Sequence, residues 1–271
     1  MCEHHNDGTK FGSFGLKAMH RRDLVRGLWA GTIVLGVAAA SGCETVSEFL
    51  APTDDQLLAA SAQAWAQTKA ETPISNDRNA NRRLQAVGPK IATASGMTNV
   101  NWEFVVFDSQ EKNAWVLPGG KVGFYKGLMD FCDNDDQVAA VLGHEVGHVV
   151  KRHAALRAGE QSAEAIAAGF AGQYISGTPL SGDQQAFIMQ IYGAGSTVLG
   201  ALPFSRAHES EADRVGVDYM KTAGFDVNQS VRLWEKMAAN SGSRPLEMLS
   251  THPDPSRRAN ELKEYIRSMG Y

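Results

Sequence analysis

Five residues, His144-Glu145-Val146-Gly147-His148, constrain this 271-residue chain more than any other stretch. They form an HExxH pattern, and histidines four apart stack on one face of a helix, where both imidazoles can reach one ion. The flanking sequence supplies that helix. Asn134-Asp135-Asp136 offers N-cap oxygens, and Val138, Val141, Leu142, Val146, Val149 and Val150 recur at helical spacing, which predicts a helix running to about Arg157. Zinc accepts neutral imidazole nitrogen, and Glu145, beside the first histidine, stands where it can take a proton from water at the ion. A catalytic site of this kind needs a third protein donor. His153, five residues after His148, points off the ligand face of a continuous helix and reads as a surface or helix-end residue. Further on, Glu209 and Asp213 lie one helical turn apart, which suits a ligand with a partner carboxylate. His208 points about 100° away from Glu209 and reads as structural or surface.

HExxH followed by Glu209-Ser210-Glu211-Ala212-Asp213, with Asn113-Ala114-Trp115-Val116-Leu117-Pro118-Gly119-Gly120 upstream, resembles metallopeptidase family forty-eight, the CAAX-prenyl-protease, HtpX and Oma group. The likeness covers about residues 55 to 265, and the size resembles the family's lipoprotein and periplasmic branch. It implies a gluzincin-type fold with one Zn2+ per chain, held by His144, His148 and Glu209, with Glu211 not a ligand. Glu145 is then general base and general acid in turn, and Asp213 orients a ligand imidazole by accepting its other N–H. Thr251-His252-Pro253-Asp254-Pro255-Ser256-Arg257-Arg258 resembles the family's late His-to-Arg element, which puts His252 and Arg258 at the catalytic centre, with Arg257 a competitor for the arginine's place. His252 stabilises the oxyanion, binds zinc as a latch that excludes the attacking water, or serves only the structure of its loop. Asn113, Ala114, Trp115 and Val116 become a substrate-binding strand, an exposed edge on which an extended peptide adds a strand.

The function this implies is a zinc endopeptidase of the bacterial cell envelope that cleaves unfolded or misassembled proteins as quality control. The alternative is a latent protease that acts mainly as a chaperone or assembly factor for outer-membrane proteins, beside the envelope assembly machinery. The N-terminus agrees with an envelope address. Residues 27 to 42 carry no charge and follow Arg21, Arg22 and Arg26, as in a signal peptide, and sixteen residues are short of the roughly 20 a spanning helix needs. Ala40-Ser41-Gly42-Cys43 resembles a bacterial lipobox with Cys43 as the lipidated residue. The arginine pair fits an ordinary secretory signal and a twin-arginine signal alike, and Met19 is an alternative start that makes residues 1 to 18 an extension. The expected organisation is a signal peptide over 1–42, a lipidated tether over 43–53 and a peptidase domain over 54–271. The chain would sit on the periplasmic face, and Glu44 after Cys43 favours the outer over the inner membrane.

A net charge of −4 and pI of about 6.1 offer no basic footprint for a phosphate backbone, so nucleic acid is excluded as a partner. Loss of Cys2 with the signal and acylation of Cys43 would leave Cys132 alone, so no intramolecular disulfide is expected. Periodicity predicts helices over 54–70, 81–93, 208–222, 228–240 and 255–269, and two in the charge-poor 159–202 stretch, broken around 176–179. β-rich segments at 101–108, 114–117 and 121–124, the last two flanking Pro118-Gly119-Gly120, predict a small antiparallel sheet. The fold class expected is α+β, mostly helical.

Overall fold

Side-chain caps mark where most of the long helices begin. Thr53 and Gln56 form a capping box at the start of α1 (Asp54–Glu71), and Asp77 accepts from two backbone N–H groups of α2 (Arg78–Ala94). The computed structural model describes residue 48 and residues 51–167, 204–240 and 247–271. The expected signal peptide over 1–42, Cys43, most of the tether and the break at 176–179 lie outside the described residues. After α2 come β1 (Glu103–Phe107), β2 (Ala114–Leu117), β3 (Lys121–Tyr125), α3 (Lys126–Phe131), α4 (Asp135–Val150) and α5 (His153–Ala167). Then follow α6 (Arg206–Thr222), α7 (Asn228–Ala239), α8 (Glu247–Thr251) and α9 (Pro255–Met269). The short α3 and α8 carry no periodic signal and were not foreseen. No described helix is long and apolar enough to cross a membrane.

The sheet is mixed, which corrects the expectation of an antiparallel one. Its order is β1-β3-β2, with β2 antiparallel to β3 but β1 parallel to β3, Val105 opposite Gly123. The cause is where the hairpin lands. Residues 108–113 reverse the chain, and the hairpin reverses it again, so β3 runs in the direction of β1 and slots beside it. The crossing connection is held by Tyr125 N–H donating to Asn113 O and Gly127 N–H to Ser109 O. A Cβ on Gly127 would lie 2.1 Å from Gln110 O, so only glycine lets this connection pass.

Every residue of α4 from Gln137 to Val149 is buried. A helix apolar all round belongs in the middle of a fold, and α4 packs against α2 and β2 as well as α6 and α7. Its contact with α6 is made through small residues. Gly143 faces Gly216 and Gly147 faces Ala212, so closely that a Cβ at 216 would lie 2.8 Å from the Gly143 carbonyl carbon. That approach lays Glu209 and Asp213 of α6 beside the HExxH face.

α4 stops at Val150, seven residues short of the expected end. Arg152 takes a left-handed conformation at φ 56°, which breaks the helix, and α5 restarts at His153 in a new direction.

Candidate metal centre

His144 and His148 point from one face of α4 toward a common point, their Nε2 atoms 3.0 Å apart. Glu209, in the first turn of α6 behind the Ser205 N-cap, brings Oε1 to 3.4 Å from His148 Nε2 and Oε2 to 3.6 Å from His144 Nε2. His252, just past α8, completes the group with Nδ1 3.1 Å from His144 Nε2 and 3.0 Å from Glu209 Oε1. All four residues are buried, and one donor atom from each lies within 4.8 Å of the others. A tetrahedral ion with 2.0–2.1 Å arms separates its donors by about 3.3–3.4 Å, so this set has the spacing and chemistry of a metal site. Glu145 stands beside it, Oε1 3.4 Å from His252 Nε2 and without a hydrogen-bond partner. Burial pushes its carboxyl up to about 7, with His252 pulling the other way, which is the range of a base at neutral pH.

The donors are braced from behind. Asp213 Oδ1 lies 3.0 Å from His144 Nδ1, so Nδ1–H donates there and leaves the Nε2 lone pair for the ion. Arg258 Nε donates to Asp213 Oδ2 at 2.7 Å, Nη2 to Oδ1, and Nη1 lies 2.7 Å from Glu209 Oε2. Nη2 also approaches His144 Nδ1 at 2.8 Å, yet the carboxylate can only accept, so the proton on Nδ1 belongs to the Asp213 contact. Burial alone would raise the Glu209 carboxyl, but Arg258 and then His252 outweigh it and hold it well below the usual range. Burial, helped by Arg258, drives His144 down to about 4, so it is neutral and competent as a ligand near pH 7.

Arg258 is fully buried, with its guanidinium 3.5 Å above the Trp234 ring. Its Nη2 lies 3.1 Å from His144 Nε2 and its Nη1 touches Glu209 Oε2, so the structure brings Arg258 into the centre, as expected, in contact with two of the donors. Arg257, the competitor, pairs with Glu261 and donates to Ser210 on the outer side. His153 is the residue sequence reasoning misplaced. Its side chain is wholly buried, with Nδ1 3.0 Å from His148 Nδ1, because the break at Arg152 turns it back toward the centre. The Lys151-Arg152 pair between two apolar runs was the available signal. Phe204, also unforeseen, stacks on His148 with centroids 4.1 Å apart.

β2, bearing Ala114, Trp115 and Val116, is an edge strand as expected, and Asn113 precedes it with its side chain accepting from Ala114 N–H. It is not an exposed edge. Asn113 to Leu117 are at most 2% accessible, with Trp115 stacked against Phe107 and lying over Gly123. Strand addition there requires the edge to be uncovered first.

Comparison with known proteins agrees with this centre. The model of peptidase family M48 matches residues 78–266. The mitochondrial metalloendopeptidase OMA1 of Schizosaccharomyces pombe is 36% identical over 179 residues, 65% of this chain and 50% of that protein. The β-barrel assembly-enhancing protease of Escherichia coli is 29% identical over 206 residues, 75% of this chain and 42% of that protein. The chain thus spans half or less of the length of these relatives.

Proposed function

The chain belongs to peptidase family M48, and from that premise we propose that it is a zinc-dependent endopeptidase of the bacterial cell envelope that cleaves unfolded or misassembled proteins. The observation that carries the reading is Glu145, an intact buried carboxylate beside four converging donors. His144, His148 and Glu209 would hold the ion, their imidazoles neutral and the carboxylate ionised. Zinc, when bound, supplies a positive charge that acidifies the attacking water and polarises the scissile carbonyl. Glu145 removes the proton from that water onto a carboxylate oxygen and passes it to the leaving amine, so one residue serves both half-reactions. Asp213 and Arg258 keep His144 and Glu209 aimed while this happens.

Cys43 would carry the lipid that holds the domain at the periplasmic face, with the outer membrane favoured and either export route compatible with the arginine pair. Replacing Cys43 by Ala should release the chain from the membrane fraction, and unchanged fractionation would remove the anchor from the reading. The activity test is hydrolysis of casein by the full, zinc-loaded chain beside Glu145→Gln at matched metal content. Loss of cleavage in the variant supports the reading, and equal cleavage refutes it.

One observation favours a second reading, a latent protease that works mainly as an assembly factor. His252 Nδ1 sits among the donors at ligand spacing, where it would fill the position an attacking water needs. Burial of the β2 edge points the same way. His252→Ala separates the roles: it should raise casein cleavage if His252 is a latch and lower it if His252 assists the oxyanion.

A further inference from the structure

We propose that His153 and Glu211 are positioning residues for His148, a relay that fixes the tautomer and ring plane of this ligand. The inference deepens the metal reading above and rests on it. His148 directs Nε2 at the donor cluster, so its proton must sit on Nδ1 and needs an acceptor. Among the described residues that acceptor is His153 Nδ1, 3.0 Å away, with the two rings at 76° to each other. His153 Nε2 in turn lies 3.1 Å from Glu211 Oε2. A carboxylate can only accept, so Nε2 of His153 carries its proton and Nδ1 is left bare to receive the one from His148. The chain of donors therefore runs one way: His148 Nδ1–H to His153, then His153 Nε2–H to Glu211.

The surroundings hold this relay in place. The His208 ring stacks on His153 with centroids 4.3 Å apart and 20° between planes. Lys151, next to the left-handed Arg152, pairs with Glu211 at 2.7 Å, so the helix break supplies both His153 and the cation that anchors the far end. The two ligand histidines are thus supported differently. His144 has a buried carboxylate, Asp213, directly on Nδ1, with buried Arg258 behind it. His148 has a neutral ring on Nδ1 and its carboxylate one ring further out, with the Glu211 side chain 46% exposed. Glu211 is accordingly no ligand but the end of the support for one.

The test compares His153→Asn with His153→Gln and His153→Phe in the full chain, purified in detergent. Asparagine puts an amide where Nδ1 stands and can still accept from His148, whereas glutamine puts it where Nε2 stands and phenylalanine offers neither. Zinc affinity, read by chelator competition, should fall about 10–100-fold in the Gln and Phe variants and stay within about threefold in the Asn variant. The visible absorption of the cobalt-loaded protein should shift in the same two variants. A side chain that only fills space would rank otherwise, since glutamine and phenylalanine fill the site better than asparagine. Equal affinity in all three, or equal loss in all three, overturns the proposal. An unmodified chain that retains no zinc refutes the metal reading itself, and the inference falls with it. If His153→Phe does not fold, the ranking of Asn against Gln decides alone.

Discussion

Replacing Gly216 by Ala tests whether the crossing of α4 and α6 is what builds the centre. A Cβ at 216 would stand 2.8 Å from both Gly143 C and His144 N, atoms of helix backbone that cannot rotate away. Ordinary contact starts at 3.4 Å, so α6 must retreat by about 0.6 Å, the magnitude at which overpacking costs about 1–3 kcal/mol. Ala gains about 0.5–1 kcal/mol over Gly inside a helix, which leaves a net loss of up to about 2.5 kcal/mol and a melting temperature lower by up to roughly 10 °C. The larger effect falls on the site. Glu209 and Asp213 ride on α6, and a 0.6 Å displacement exceeds the roughly 0.2 Å tolerance of metal–ligand distances, so zinc affinity should drop by more than about tenfold. Gly147→Ala meets Ala212 O at 3.0 Å and should give the same changes at smaller size. Thermal unfolding of the metal-free chain and chelator competition measure both quantities. A Gly216→Ala variant that binds zinc as tightly as the unmodified chain would refute the argument that this helix approach sets the donor geometry.

Asp213→Asn keeps the shape but removes the charge facing buried Arg258; breaking such a pair costs about 3–5 kcal/mol, and loss of the His144 brace costs about 10–100-fold in zinc affinity. Denaturant unfolding and metal competition should therefore both respond, and a change in neither would dismiss the brace. Burial pushes the Cys132 thiol up to about 12, so it should stay unreactive toward disulfide reagents at pH 8 until the chain unfolds. Because the folded protein favours the neutral thiol, its contribution to stability is complete below about pH 9, the ordinary thiol value, and declines as pH rises toward 12; Cys132→Ala should flatten that alkaline decline.

The HExxH helix, its N-cap and its core were legible because capping chemistry and hydrophobic spacing are local properties, and both appear where expected at Asn134 and along Val138 to Val149. Glu209 and Asp213 were legible for the same reason, being one turn apart on one helix. What a local pattern cannot carry is a change of direction. His153 was read on a continuous helix, and a single left-handed residue at Arg152 moved it from the outside to the ligand's back. The sheet was misread likewise: its strands were recognisable, but their order depends on which edge the hairpin meets after residues 108–113. Arg257 and Arg258 differ by only one residue, yet the 100° between them puts one in solvent-facing pairs and the other under Glu209.

The placement of charge explains why a helix as apolar as α4 sits at the centre of the fold. Among the described residues, the buried Asp, Glu and Arg side chains are Glu145, Arg157, Glu209, Asp213 and Arg258. Glu209 is one of the donors, Glu145, Asp213 and Arg258 stand around them, and Arg157 lies over Phe204, which stacks on His148. Burying charge opposes folding unless it is paired, so concentrating every such group in one place is a cost with no stabilising rationale elsewhere in the molecule. Against the effect of burial, the carboxylates of this cluster draw the His252 imidazole above its ordinary value, and a divalent cation among the donors would take over that balancing of their charge. The apolar walls of α4, α6 and α7 keep water from screening that field, so the same packing that holds the fold together raises Glu145 to the basicity its proposed role requires.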